Sequence, residues 1–230
     1  MTLLNKKQGA LVLAFDDYGG ENWLKADAVF KKYDAHVTFF VCGEITEERA
    51  DVMKKLRAAG HTIGLHGLHH RDAAPLPDDI PDMETYFRQQ VQPQLDACEK
   101  AGLTGIRCFG YPNNRRDETS DARLFEVFDY LRAGLGPARQ TVYLPVSELP
   151  EKIVLRGGCI GKYYDTDLDV VKTQIRQAAE SNSLILFTSH DIFPDAPRVH
   201  MPTEWLEIIL QTASELNMAV VGMDELKDLN

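Results

Sequence analysis

The fold is decided by Ala10-Leu11-Val12-Leu13-Ala14-Phe15-Asp16-Asp17, an apolar run that ends in two carboxylates before a Tyr18-Gly19-Gly20 turn. A short apolar run that stops at a glycine-rich turn is typical of a strand buried in a parallel sheet. Two adjacent carboxylates at the end of that strand repel each other unless one binds a cation and the other has a cationic or hydrogen-bonding partner. Capping of the following helix would account for the pair equally well, so a second observation has to separate the two interpretations.

That second observation is a histidine cluster, Gly64-Leu65-His66-Gly67-Leu68-His69-His70, which follows another short apolar stretch. His66 and His70 are four residues apart, and on a helical turn or in a tight loop this spacing points both imidazoles the same way, as in metal sites with paired histidines. His69 could replace either of them, although its pairing with a neighbour gives poorer convergence. A histidine cluster and a carboxylate pair in one chain together indicate a metal site.

Composition sets the class of protein. The chain has 230 residues, 44% of them hydrophobic and 26% charged, which predicts one globular domain over residues 1–230. The net charge of -10 argues against a nucleic-acid partner, and no apolar stretch is long enough to cross a membrane. Residues 1–7 hold no apolar signal core, which predicts a cytoplasmic protein or a secreted or periplasmic one given without its leader. Cys42, Cys98, Cys108 and Cys159 are widely spaced and are expected to be free thiols.

Strand-like and helix-like segments alternate along the chain. The sequence predicts strands over 10–15, 37–41, 62–65, 106–110, 130–131, 153–155, 184–188 and 219–222. It predicts amphipathic helices over 22–33, 47–59, 83–101, 120–128, 168–181 and 203–216. This alternation predicts an α/β fold with a single irregular (β/α) barrel of about seven to eight strands, with a doubly wound open sheet as the alternative.

Polar side chains follow several of the predicted strands. In a (β/α) barrel the carboxyl ends of all strands open onto one face, and that face carries the active site. Residues far apart in the chain should therefore meet in one cleft. The side chains at these strand ends are Asp16, Asp17, His66, His70, Tyr111, Pro112, Arg132, His190 and Asp191.

These motifs and their order resemble the polysaccharide deacetylases of the NodB-homology type, carbohydrate esterase family 4, over nearly the whole chain. The residues that carry the resemblance are Phe15-Asp16-Asp17, His66-Gly67-Leu68-His69-His70, Phe109-Gly110-Tyr111-Pro112-Asn113 and Ser189-His190-Asp191-Ile192. The resemblance implies a deacetylase-type barrel that removes acetyl groups, from an amide or an ester, on a carbohydrate or a related small acylated substrate.

The resemblance also implies roles for individual residues. Asp17, His66 and His70 would bind one divalent metal ion, with zinc expected and other transition metals possible. Asp16 would be the general base and His190 the general acid. The backbone N–H of Tyr111, next to Pro112, would help hold the oxyanion, and a ring from Trp23, Tyr111 or Trp205 could stack on a sugar.

Several positions depart from the family pattern. Tyr18 stands where glycine is usual, and Gly67 replaces the usual hydroxyl residue of the histidine motif. The arginine common in the third motif is absent at Gly110, which leaves Arg132 or Arg107 to neutralise Asp16, with Arg132 favoured by its place at a strand end. The alternative to a deacetylase is a barrel that has lost efficient catalysis and serves as a binding module, or an amidohydrolase that acts on a non-carbohydrate C–N bond.

Overall fold

The computed structural model describes residues 7–136, 140–193 and 200–229. Its strands, in chain order, are β1 (Ala10–Phe15), β2 (Thr38–Val41), β3 (Thr62–Leu65), β4 (Cys108–Gly110), β5 (Tyr130–Gly134), β6 (Leu144–Pro145), β7 (Ile153–Cys159), β8 (Ser183–Ser189), β9 (Asp191–Ile192), β10 (His200–Met201) and β11 (Ala219–Val220). Its helices are α1 (Glu21–Lys32), α2 (Glu47–Ala58), α3 (Met83–Tyr86), α4 (Gln92–Lys100), α5 (Glu118–Leu124), α6 (Leu168–Glu180) and α7 (Thr203–Glu215). The expectation about a leader sequence rests mostly on residues 1–6, and these lie outside the described residues.

Parallel strands close a barrel in the order β1-β2-β3-β4-β5-β7-β8, with β8 pairing back onto β1 from Ala10↔Leu184 to Phe15↔Ser189. The predicted (β/α) barrel is thus confirmed, and the open-sheet alternative is wrong. The last predicted strand does not take an eighth place in the ring. Instead, β11 pairs with the first half of β1, while β2 pairs with its second half.

The barrel has two apolar layers, which follow from the alternation of side chains along a strand. One layer fills the interior and includes Ala10, Val12 and Ala14 of β1. The other lies between the strands and the helices and includes Leu11, Leu13 and Phe15 of the same strand. Asp16 therefore continues the inward set at the carboxyl end of β1.

Helix boundaries differ from the sequence prediction where local hydrogen bonds decide them. The sequence predicts that the fourth helix begins at Ser120, but Asp117 caps this helix, and Ser120 is its third residue and the partner of Asp117 in a reciprocal capping box. The helix predicted over 83–101 is interrupted by a π-helical turn, Phe87–Val91. The extra strands β6, β9 and β10 are two residues long each and leave no periodic signal in the sequence.

Candidate active site

The carboxylate pair divides into two environments. Asp16 is buried, and its Oδ2 lies 2.6 Å from Nη2 of Arg132, which is itself 1% exposed. Nη1 of Arg132 donates to Oδ1 of Asn114 at 2.6 Å. Oδ1 of Asp16 has no hydrogen-bond partner within the described residues. A buried carboxylate is tolerable here because a buried guanidinium, held by a third group, compensates its charge.

Arg132 reaches Asp16 because Gly110 has no side chain. The two residues are paired in register across β4 and β5, and a Cβ at Gly110 would lie 2.6 Å from Nη2 of Arg132. The guanidinium beside Asp16 therefore comes from β5, the strand that pairs with β4. Arg107 pairs instead with Asp129, so the expectation that Arg132 is the partner of Asp16 agrees with the geometry.

Asp17, His66 and His70 come together at the mouth of the barrel. One ligand atom from each lies within 4.8 Å of the other two. Oδ1 of Asp17 is 3.9 Å from Nε2 of His66 and 3.7 Å from Nε2 of His70. Ligands bound tetrahedrally at about 2.0–2.1 Å stand ~3.3 Å apart, so these donors need only a small contraction to fit one ion. Asp17 and His70 both have left-handed backbone, φ 71° and 52°, which indicates a local conformation held by its surroundings.

His66 is fixed in a form suited to ligation. Its Nδ1 lies 2.7 Å from the carbonyl oxygen of Gly110, which assigns the proton to Nδ1 and leaves Nε2 as the lone-pair donor toward Asp17. Burial, with the nearby charge of Arg132, holds the pKa of His66 well below its usual value. The imidazole is therefore neutral, as a metal ligand must be.

Gln90 braces the histidine loop. The side-chain Oε1 of Gln90 accepts a hydrogen bond from the backbone N–H of His69 at 2.9 Å. The backbone carbonyl of Gln90 accepts one from the backbone N–H of Leu68 at 2.8 Å. Gln90 is buried and lies in the π-helical turn, a type of distortion frequent at functional sites. These bonds act on the loop that lacks the usual hydroxyl at Gly67. His69 itself is exposed and lies outside the candidate metal cluster.

His190 lies across the cleft from the histidine loop, between β8 and β9. The indole Nε1 of buried Trp23 donates to the carbonyl oxygen of His190 at 3.1 Å, and Asn22 donates to Oδ2 of Asp191 at 3.0 Å. The start of α1 thus fixes the backbone that carries His190. Nδ1 of His190 has no hydrogen-bond partner in the part of the chain that the structure describes.

The expectations for Tyr111 need correction. Its backbone N–H donates to the carbonyl of Arg132 at 2.9 Å, and this bond occupies the donor that was expected to hold an oxyanion. Its hydroxyl donates to Oδ1 of Asp121 at 2.7 Å, and the ring is buried, so it cannot stack on a sugar. Pro112 is also buried, and its Cγ lies beside Gly67 in the wall of the loop. Trp23 is also fully buried, so its ring cannot stack on a sugar either.

The groups described above share one cleft of about 460 Å³. Its lining residues are Asp16, Asp17, His66, His70, Asp72, Asn113, Asn114, Arg115, Arg132, Cys159, Tyr164 and His190. Asn114, Gln90 and Tyr164 were not assigned roles from the sequence. Asn114 has a left-handed backbone with φ 59°, a conformation that asparagine tolerates well. The Asn113-Asn114 pair is the sequence feature that could have indicated this conformation.

Comparison with known proteins identifies the family of the chain. The family model described as polysaccharide deacetylase matches residues 4–126, just over half of the chain, and this match includes the Asp16-Asp17 and His66–His70 motifs. The chain belongs to the polysaccharide deacetylase family. The match ends before Arg132 and His190, so those two positions rest on the geometry alone.

Individual relatives differ in what their names describe. The peptidoglycan-N-acetylmuramic acid deacetylase PdaA of Bacillus subtilis is 34% identical over 95 residues, 40% of this chain and 32% of that protein. A family 4 acetyl xylan esterase from Clostridium thermocellum, in complex with a cobalt ion, has a TM-score of 0.65 at 20% identity, covering 96% of this chain and 91% of the other. A CE4 family pseudoenzyme from Bacillus anthracis has a TM-score of 0.61 at 18% identity, and the match covers 98% of this chain and 67% of the other. The chain thus matches about a third of the length of the curated relative, and its fold is shared by an esterase and a pseudoenzyme.

Proposed function

We propose that this chain is a metal-dependent deacetylase that removes the N-acetyl group from an amino sugar of a glycan. The observation that carries the proposal is the convergence of Asp17, His66 and His70 beside the buried Asp16–Arg132 pair in one open cleft. The peptidoglycan deacetylase among the relatives supports an amide of an amino sugar over an ester as the substrate. A module that only binds a glycan would not require the buried Asp16 carboxylate with one oxygen outside the ion pair. It would also not require a neutral His66 whose Nε2 faces Asp17.

Asp17, His66 and His70 would hold the divalent ion. One carboxylate oxygen and two imidazole nitrogens are the donor set of catalytic sites that keep coordination positions open for substrate and water. When bound, such an ion acts as a Lewis acid that polarises a carbonyl and makes water more acidic.

Asp16 is proposed as the general base. The ion pair with Arg132 engages Oδ2 and leaves Oδ1 without a hydrogen bond to any described residue, so Oδ1 is free to accept the proton of an attacking water. The guanidinium orients the carboxylate before the reaction begins. Asn114 is a positioning residue, because it holds the far side of the guanidinium.

His190 is proposed as the general acid. It lines the same cleft as Asp16, and its backbone is fixed by Trp23. In this role an imidazolium gives its proton to the nitrogen that leaves as the C–N bond breaks. The base and the acid then come from β1 and from the end of β8, which are neighbours in the barrel.

The test is acetate release from N-acetylated chitooligosaccharides and from peptidoglycan fragments by purified protein. We expect activity that is abolished by a chelator and restored by zinc or cobalt, with Asp17→Asn inactive and metal-poor. The matched control is Asp72→Asn, a carboxylate that lines the same cleft but lies outside the metal cluster. Folded, metal-loaded protein that releases no acetate from these substrates or from small aryl acetates would support the binding-module alternative.

A further inference from the structure

Tyr164 is an aromatic ring that faces the cleft. It lines the same cavity as Asp16, Asp17 and His190 and is only partly buried. The other rings expected to meet a sugar do not serve, since Trp23 and Tyr111 are fully buried and Trp205 packs against the core. A partly exposed ring beside polar groups in a concave site is a typical element of ligand recognition.

Tyr164 lies beside the proposed general acid. Its ring and the ring of His190 have centroids 6.2 Å apart and planes at 26°. A general acid must be within hydrogen-bond reach of the atom that it protonates. The nitrogen of the departing amino sugar must therefore approach His190, and the sugar ring that carries this nitrogen then lies within reach of Tyr164.

The loop that carries Tyr164 is held in place before any ligand binds. The backbone N–H of Gly161 donates to Oγ1 of Thr166 at 3.0 Å, and the N–H of Tyr164 donates to the carbonyl of Gly161 at 3.1 Å. Gly161 has φ 144°, and a Cβ there would lie 2.5 Å from the carbonyl oxygen of His200, so only glycine fits. The hydroxyl of Tyr164 lies against the thiol of Cys159. A rigid platform loses little conformational entropy when a ligand is bound.

We propose that Tyr164 is the platform on which the pyranose ring of the departing amino sugar packs, and that it gives this site its preference for saccharides over small acylated compounds. This inference rests on the proposed function. The C–H face of a pyranose is apolar enough to gain from contact with an aromatic face, while its hydroxyls stay in water. The acetyl group stands on the other side of the scissile C–N bond from the sugar ring and takes no part in this contact.

The test compares Tyr164→Ala and Tyr164→Phe with wild type on two substrates, N-acetylated chitopentaose and 4-nitrophenyl acetate. Loss of the ring should raise KM for chitopentaose about tenfold, the size of effect that an aromatic contact gives. The ratio of kcat/KM for chitopentaose to kcat/KM for 4-nitrophenyl acetate should fall about tenfold, because the ester has no sugar ring to lose its contact. Tyr164→Phe should behave as wild type on both substrates. The control is Tyr163→Ala in the same loop, because Tyr163 is 73% exposed and does not line the cleft.

Two results would overturn the platform. If Tyr164→Ala slows both substrates equally, the ring acts on the catalytic groups and not on the sugar. If Tyr164→Phe has the same defect as Tyr164→Ala, the hydroxyl is responsible. Calorimetric titration of metal-loaded His190→Ala protein with chitopentaose, with and without Tyr164→Ala, separates this inference from the proposed function. Hydrolysis of neither substrate by wild type would refute the function, whereas binding that is absent or insensitive to Tyr164→Ala would refute the platform.

Discussion

Replacement of Arg132 by methionine should destabilise the protein strongly. The change keeps most of the buried volume but leaves Asp16, 5% exposed, without its cationic partner. Breaking a buried ion pair from one side costs about 3–5 kcal/mol. A stranded carboxylate can limit that cost by taking up a proton, which for an ordinary aspartate at pH 7 costs about 4 kcal/mol. The expected loss in the free energy of unfolding is therefore about 3–4 kcal/mol.

The assay is urea unfolding of chelator-treated protein at pH 7, followed by circular dichroism. Arg107→Met is the matched control: the Arg107 side chain is 41% exposed in its pair with Asp129, and loss of a surface pair should cost no more than ~1 kcal/mol. Asp16→Asn added to Arg132→Met should recover part of the loss, because it removes the stranded charge. An Arg132→Met protein as stable as the Arg107→Met control, or a double variant whose losses simply add, would refute this account of the pair.

Other variants test the remaining parts of the site. His66→Ala should lose bound metal in elemental analysis while His69→Ala retains it, because His66 belongs to the cluster around Asp17 and His69 does not; equal retention would remove His66 from the ligand set. His190→Ala should lower kcat by roughly 10²–10⁴-fold with metal content unchanged, and a fully active variant would exclude the acid role. Tyr111→Phe should cost about 1–2 kcal/mol of stability through its lost bond to Asp121, yet leave kcat unchanged; a fall in kcat at unchanged stability would contradict the structural role.

The sequence was sufficient for the barrel because most of its strands are buried and apolar. β1 and β8 have buried side chains throughout, so all of Ala10–Phe15 and the centre of β8, residues 184–187, appear as continuous hydrophobic segments. β5 was underestimated as two residues, because its charged residue Arg132 interrupts the apolar pattern although the side chain is buried. The polar positions at strand ends followed from the barrel itself, since parallel strands bring them to one face.

The contacts that hold the site could not be predicted in the same way. The bond from the side chain of Gln90 to the histidine loop depends on a π-helical turn, which has no strong sequence signature. The misassignment of Tyr111 has a similar cause, because only the pairing of β4 with β5 shows that its N–H is already used. Such roles depend on which neighbouring strand supplies a partner, and local patterns do not contain that information.

The space shared by Gly110 and Arg132 restricts how this barrel can change during evolution. An arginine at position 110 would collide with the guanidinium of Arg132, because even a Cβ would lie 2.6 Å from Nη2. Loss of Arg132 on its own would strand the charge of Asp16. A transfer of the cationic partner of Asp16 from position 132 to position 110 would therefore require both residues to change together. The backbone carbonyl of Gly110 also orients His66, and this bond does not depend on which side chain stands at position 110.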